Sequence, residues 1–231
     1  MTATAEERCL WALAQLFADD GEILASPMGP EPQKAARLCR RFLNPDLMLS
    51  DGVAHLIDGA GAIEGPMNYA RVFETLWNGK RHVLMGASQL DRFGNQNISC
   101  IGPHPQPKVQ LLGVRGAPGN TMNHRTSYWV PKHSTRVFVD TVDVVSGVGT
   151  NHAEALGPAN RRFFDLYRVV TNLGVLDFGG PQKSLRLVQI QGETDLAFVH
   201  EQTGFELVVS DQLAVMPDPP AEILHWLRRE A

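Results

Sequence analysis

Apolar positions near the start of the chain repeat at helical spacing. Leucine, alanine and phenylalanine side chains of residues 10–17 fall on one helical face. Thr4 precedes this face, and Glu7 lies three residues after Thr4. This spacing is the pattern of a capping box. The pattern therefore predicts a first helix, which Gly21 ends.

The next apolar stretches alternate between strand and helix. Residues 22–25 predict a short strand, and a second helix follows with its apolar face over residues 35–42. Residues 46–49 predict another strand. Helix, strand, helix and strand in this order indicate the opening of a parallel sheet with a right-handed crossover.

Further along the chain, strands are expected more often than helices. Thr194 is the candidate cap of a short helix over residues 195–202, and Pro219 and Pro220 open a last amphipathic helix. A mixed, largely parallel sheet with helices on both faces, an α/β fold of three layers (αβα), accounts for these elements. The expected strands, of which the last three are spaced as antiparallel neighbours, are residues 82–85, 109–112, 127–130, 137–139, 167–171, 175–178 and 185–190.

Composition adds limits to this fold. Hydrophobic residues make up 43% of the 231 residues and charged residues 20%, which is typical of a globular protein. No linker rich in Pro, Gly or Ser divides the chain, so we expect a single domain over residues 1–231. The net charge of −4 argues against binding to nucleic acid. Without a leader pattern or a long apolar run, the chain is expected to be cytoplasmic and independent of membranes.

Cysteine and histidine patterns indicate neither a disulfide framework nor a metal site. The 3 cysteines form no CxxC pair. The 8 histidines show no metal-ligand spacing, and we expect each to be a surface or a satisfied core histidine. A GxSxG elbow is absent, which argues against an α/β-hydrolase serine mechanism.

Three segments at predicted strand ends carry candidate chemistry. Ser50, Asp51 and Gly52 follow the strand over residues 46–49, where ligands gather in open α/β sheets, although Asp-Gly is also ordinary turn chemistry. Residues 86–97 (GASQLDRFGNQN) combine glycines with amide side chains. Residues 113–120 form a glycine-rich segment that could present N–H groups to an oxyanion. Taken alone, the first two segments favour a structural turn or loop over a site, and the third is compatible with either.

Taken in order, these segments resemble the beta subunits of the class I CoA-transferase family, in its glutaconate-transferase branch. The similarity extends over about residues 6–229, and residues 86–97 resemble the GAxQxDxxGNxN loop of that family. Four further motifs contribute: DGEILASPMG (20–29), the glycine loop over residues 113–119, VVTNLGVLDF (169–178) and EQTGFEL (201–207).

Two departures from the transferase pattern bear on the chemistry. The resemblance implies a glutamate, which becomes a glutamyl-CoA thioester, at the position of Ser50, and a serine without a base cannot replace that carboxylate. The transferase loop reads G-x-G-G-A, whereas Arg115 stands here at its second glycine. Arg115 suits a bidentate pair with a substrate carboxylate, or it braces local carbonyls.

With residues 124–133 (HRTSYWVPKH), these departures resemble the steroid-ring-opening acyl-CoA hydrolase branch of the actinobacteria. That resemblance implies hydration of a cyclic enone acyl-CoA and retro-Claisen-like C–C cleavage. It also implies an alpha subunit that holds the main acid/base glutamate, an α2β2 assembly, and no cofactor beyond the CoA of the substrate. A CoA-transferase subunit and a non-catalytic acyl-CoA-binding subunit are the alternatives.

In this chain no residue is a certain catalytic group, and Ser50 and Asp51 are candidates for a supporting role. The residues expected to contact substrate are Ser50, Gly52, Gly86, Gln89, Asn97, Gly113, Arg115, Gly116, Ala117 and Asn120.

Overall fold

A computed structural model describes residues 2–51, 54–68, 70–71, 74 and 80–229. The chain forms two compact units: Met1–Met85 with Met216–Ala231, and Gly86–Val215. The expectation of a single domain over residues 1–231 stays a prediction. In the described part of the chain, no helix has both the length and the apolar character needed to cross a membrane.

Both units contain helices and strands. In chain order the described elements are α1 (Ala5–Gln15), β1 (Leu24–Pro27), α2 (Pro30–Phe42), β2 (Leu49–Ser50), β3 (His55–Ile57), β4 (Ile63–Pro66), β5 (Arg81–Met85), β6 (Gln89–Leu90), β7 (Gln96–Asn97), β8 (Cys100–Ile101), β9 (Val109–Gln110), α3 (Ala117–Asn123), β10 (Arg125–Val130), α4 (Thr150–Glu154), β11 (Asp165–Thr171), β12 (Gly174–Asp177), β13 (Arg186–Ile190), α5 (Leu196–Glu201), β14 (Val208–Val215) and α6 (Ala221–Arg229).

In the first unit, local sequence signals form the helices as predicted. The capping box is confirmed: the Glu7 N–H donates to Thr4 Oγ1 at 3.2 Å, and the Thr4 N–H donates to Glu7 Oε2 at 2.7 Å. The Arg228 guanidinium, on α6, donates twice to the Glu7 carboxylate, at 2.6 and 3.0 Å. This hydrogen bond is the main reason why the pKa of Glu7 falls to about 2. The last helix is therefore tied to the first.

The strands of the first unit correct one prediction. β1 pairs in parallel with β5. The strand expected over residues 46–49 begins later, because the side chain of Asn44 accepts the Asp46 N–H and holds a turn there. Met48 makes a parallel bridge to Leu24, and β2 then pairs antiparallel with β3 in a small sheet of β2, β3 and β4.

The second unit contains a mixed sheet. β10 and β11 are parallel, β11, β12 and β13 are successive antiparallel neighbours as predicted, and β13 pairs in parallel with β14. The prediction missed β14, the 8-residue strand Val208–Val215. The mixed sheet confirms the α/β class.

Three shorter predictions for the second unit are wrong in detail. The strand expected over residues 137–139 is only an isolated bridge between Phe138 and Leu90. The strand over 109–112 ends at Gln110. The cap of α5 is Asp195, whose carboxylate accepts the Ala197 N–H at 3.0 Å, and not Thr194. A carboxylate next to the first helical residue is the stronger competitor for that N–H.

His133 is a satisfied core histidine, as expected. Its side chain is buried and stacks on Phe138 with ring centroids 3.9 Å apart. Nδ1 lies 3.2 Å from Thr171 Oγ1, and Nε2 lies 3.0 Å from Thr203 Oγ1. Thr203 donates its hydroxyl proton to the Val199 carbonyl, so that it accepts from the imidazole. Burial lowers the pKa of His133 from 6.5 to about 4.

We expect the stability of the protein to fall on mild acidification because of His133. At pH values between about 4, the pKa of His133 in the folded protein, and 6.5, its pKa in the unfolded chain, the unfolded chain binds a proton at this residue and the folded chain does not. The contribution is therefore present at neutral pH and lost as the pH falls through 6.5 toward 4. The contribution of His133 to the free energy of unfolding, measured by urea denaturation, should be about 2 kcal/mol smaller at about pH 5 than at about pH 7.5. An equal difference in the His133→Gln variant would contradict the assignment.

Candidate functional site

A cavity of about 370 Å³ lies in the first unit along β1, all four residues of which line it. Ser50 and Asp51, the strand-end pair from the sequence, both line it. Strand β1, helix α2, the β2–β3 hairpin and the start of β5 supply the other walls, among them Ser26, Pro27, Gln33, Arg37 and Arg81. The cavity extends past Pro27 to Met28, and so it includes the carboxyl end of β1, where α/β folds place ligands.

Asp51 organises the β2–β3 hairpin. Its Oδ1 accepts the N–H groups of Ala54 and His55 at 2.9 and 3.0 Å, and its Oδ2 lies 2.8 Å from His55 Nδ1. Both carboxylate oxygens are thus engaged locally, as in the turn interpretation. Ser50 is half-buried beside it. Gly52, the third predicted residue of this group, lies outside the described residues.

Two guanidinium groups line the same cavity. Arg81 begins β5, and its Nε donates to Ser26 Oγ at 2.6 Å. Burial lowers the pKa of Arg81 from its ordinary value. Arg37 lies on α2 with its side chain exposed. Against these two cations the described lining carries one carboxylate, that of Asp51, so the cavity favours an anion.

In the second unit, Gln89 and Asn97 hydrogen-bond to each other. The buried Asn97 donates from Nδ2 to Gln89 Oε1 at 2.6 Å and to the Cys100 carbonyl at 2.8 Å. Gln89 donates from Nε2 to Asp143 at 3.0 Å. The carbonyl of Gly86 accepts from the Gln96 side chain. These amides are occupied by the protein itself, so the geometry gives them a structural role, and their role toward substrate stays a prediction.

A second cluster in this loop centres on Asn95. Its Nδ2 donates to Asp91 Oδ2 at 2.8 Å and to Asn151 Oδ1 at 3.0 Å, and its Oδ1 accepts the Gly149 N–H at 2.7 Å. Burial raises the pKa of Asp91, against the hydrogen bonds from Asn95 and Phe93 that lower it. The GASQLDRFGNQN loop is therefore held by side chains that bond to one another.

The glycine-rich segment differs from the predicted loop. Its second half is helical, since Gly116 is the N-cap of α3 and the Asn120 N–H donates to the Gly116 carbonyl at 2.9 Å. Ala117 and Asn120 are buried, whereas Arg115 is exposed. Gly113 and Arg115 have φ angles of 80° and 51°.

Arg115 therefore adopts a backbone conformation that glycine, its counterpart in the transferase motif, adopts without strain. Its Nε donates to the Leu112 carbonyl at 3.1 Å. This is the hydrogen bond to a local carbonyl that the alternative, structural role of Arg115 predicts. A role of Gly113, Arg115, Gly116, Ala117 and Asn120 in binding substrate stays a prediction.

Sequence reasoning missed the cationic wall of the first cavity. Arg37 lies one helical turn after Gln33, and both line the cavity from α2. The available signal was this spacing of 4 residues in the helix that follows the first strand. Arg81 carried no such signal, because only the pairing of β5 with β1 brings it beside Ser26.

Comparison with known proteins identifies the family, although no family model matches the chain. The chain is 48% identical, over 98% of its length and 94% of the relative's, to the cholesterol ring-cleaving hydrolase IpdB subunit of Mycobacterium tuberculosis. The crystal structure of Rhodococcus jostii RHA1 IpdAB superposes with a TM-score of 0.92 at 47% identity, covering 99% of this chain and 94% of that one.

A more distant structure shows the wider fold. Glutaconate coenzyme A-transferase from Acidaminococcus fermentans superposes with a TM-score of 0.82 at 21% identity, over 99% of this chain and 94% of that one. The chain thus has the CoA-transferase-like fold. Because 48% identity extends over almost its full length, the chain belongs to the family of cholesterol ring-cleaving hydrolase IpdB subunits.

Proposed function

We propose that this chain is the beta subunit of a heteromeric acyl-CoA hydrolase that opens the last ring of a steroid-derived cyclic enone acyl-CoA. The observation that carries the proposal is the 48% identity, over 98% of the chain, to a subunit named as a cholesterol ring-cleaving hydrolase. The presence of Ser50 at the strand end, where the transferase pattern has a glutamate, supports a hydrolase over a CoA-transferase.

The reaction consists of hydration of the ring enone and then retro-Claisen-like cleavage. Water adds across the ring double bond and places a hydroxyl on the carbon β to the thioester. A base removes the hydroxyl proton as the bond between this carbon and the carbon beside the thioester breaks, so that the β-carbon becomes a ketone and the electron pair forms the thioester enolate, which then takes a proton. Such chemistry needs a base and groups that stabilise developing negative charge. In the described cavity the carboxylate of Asp51 is held by three hydrogen bonds within its own hairpin. This arrangement supports a role for Asp51 as part of the pocket wall and not as the catalytic base.

The main acid/base glutamate is assigned to an alpha subunit. The relative's crystal structure is named IpdAB, for two components. We place this chain in the corresponding position, in an α2β2 assembly in the cytoplasm, with coenzyme A as part of the substrate and no separate cofactor.

The decisive experiment is an assay of the co-purified complex. The complex is incubated with ring-containing acyl-CoA thioesters, and mass spectrometry follows the CoA group. We expect a product that is heavier than the substrate by one water and that keeps its CoA thioester on the opened ring. Full turnover by this chain alone would contradict the need for a partner. A glutamyl-CoA adduct trapped with borohydride on this chain would favour a transferase, and binding without turnover would favour an acyl-CoA-binding subunit.

The Ser50→Ala variant tests the role of the strand-end serine. If Ser50 only positions water or the thioester oxygen through a hydrogen bond, turnover by the complex should fall about 10–100-fold and remain measurable. Steady-state kinetics of the complex on the ring substrate provide the measurement. Complete loss of activity in a folded, assembled variant would instead indicate a nucleophilic serine.

A further inference from the structure

The cavity beside Ser50 contains a cation that no residue described by the structure neutralises. Arg37 lines the cavity from α2, and its side chain has no hydrogen bond or ion pair with any residue that the structure describes. Its neighbour on the same helix, Arg40, shows the usual alternative, since it pairs with Glu64 at 2.6 Å. An arginine left unpaired at the wall of a cavity is available to a ligand.

The other groups of the cavity support an anionic ligand. Arg81 adds a second guanidinium, oriented by its hydrogen bond to Ser26 Oγ at 2.6 Å. The hydroxyl-bearing Ser26 and Ser50 contribute polar wall. Asp51 is the one carboxylate of the described lining, and the hairpin N–H groups and His55 engage its oxygens. The cations therefore outnumber the anion.

The helix behind the cavity indicates that side chains, rather than backbone amides, would hold the anion. Helix α2 begins with Pro30 and carries Pro32 two residues later. Proline has no N–H, so the first turn lacks two of the donors on which phosphate sites at helix starts depend. The Gln33 N–H already donates to the Gly29 carbonyl at 3.1 Å. The planar fork of a guanidinium, by contrast, matches an oxyanion with two parallel bonds.

We propose that Arg37, together with Arg81 in the same cavity, binds an oxyanion of the acyl-CoA substrate and so selects for acyl groups that carry a free carboxylate. The proposal rests on the proposed acyl-CoA function. The same chemistry would also bind a phosphate of the CoA moiety, and the experiment separates these two sources.

The test uses the full chain in complex with its alpha subunit and measures binding by calorimetry. Glutaryl-CoA, which has a free acyl carboxylate, is compared with pentanoyl-CoA, which has none. Arg37→Gln is expected to weaken the binding of glutaryl-CoA about 10-fold and to leave the affinity for pentanoyl-CoA unchanged. One charge-assisted hydrogen bond contributes about that factor. Arg37→Lys should restore part of the loss. On the ring substrate, KM should rise more than kcat falls.

Arg41→Gln is the matched control. Arg41 is an exposed arginine on the same helix that lies over the Phe42 ring, 5.5 Å from its centroid, and it does not line the cavity. We expect this variant to bind both thioesters as the wild type does.

Two results would overturn the proposal, and a third would separate it from the proposed function. Equal, undiminished binding of glutaryl-CoA to Arg37→Gln would overturn it. An equal loss for both thioesters that disappears with dephospho-CoA derivatives would assign the site to a CoA phosphate and overturn the acyl-carboxylate selectivity. Because binding is measured without turnover, a complex that binds selectively but opens no ring would contradict the proposed function and leave the Arg37 result intact.

Discussion

Replacing Gly149 with alanine is expected to lower the free energy of unfolding by about 3 kcal/mol. A Cβ at this position would lie 2.7 Å from the backbone nitrogen of Asn95 and 2.7 Å from its Oδ1. The Gly149 N–H also donates to that Oδ1. Because Asn95 is held by Asp91 and Asn151, it cannot move without breaking buried hydrogen bonds. Urea denaturation of the variant measures the loss.

Gly157→Ala provides the comparison for this variant. A Cβ at Gly157 would meet nothing within 4 Å. We therefore expect a change in the free energy of unfolding within about 0.5 kcal/mol. Equal stability of the two variants would show that the Asn95 cluster is not rigid.

Asp20→Ala is expected to be comparably damaging, with a loss of about 3 kcal/mol in the free energy of unfolding. Asp20 Oδ2 lies 2.6 Å from His82 Nδ1, and the two side chains are only 2% and 0% exposed. The Phe17 ring packs against the imidazole at 4.7 Å between centroids. Removing the carboxylate deprives a buried ring of a hydrogen bond that water cannot replace.

Two further variants define the origin of this effect. Asp19→Ala removes the neighbouring carboxylate, which is exposed, and should change stability by less than about 0.5 kcal/mol. Asp20→Asn keeps an oxygen at the same place, so its free energy of unfolding should fall less than that of Asp20→Ala. Thermal unfolding of the three variants side by side gives the order, and a damaging Asp19→Ala would refute the importance of the buried pair.

Several elements could be predicted because their signals are local. The capping box of Thr4 and Glu7 needs only residues within one helical turn, and the structure contains it as predicted. The antiparallel order of β11, β12 and β13 follows from short connections between apolar strands. Residues 46–49 were misplaced because the turn there depends on Asn44, a side chain that also donates to the carbonyls of Phe17 and Gly21.

The candidate site shows the same division. The position of Ser50 and Asp51 at a strand end could be found from the sequence, and both residues line the cavity. The motif over residues 86–97 was recognised, but its spacing could not show that Gln89 and Asn97 satisfy each other. Amide side chains have equal capacity to bind a ligand or one another, and only their positions in space decide which they do.

By itself, the sequence determined the α/β class, the helix starts and the resemblance to CoA-transferase beta subunits, because these depend on periodicity, caps and the order of motifs. The tertiary structure alone decided the cationic cavity and the buried pair of Asp20 and His82. Arg37 and Arg81 are 44 positions apart in the chain and line one cavity only through the pairing of β1 with β5. Contacts between residues so distant in the chain leave no local pattern, since strand pairing, rather than neighbouring residues, brings them together.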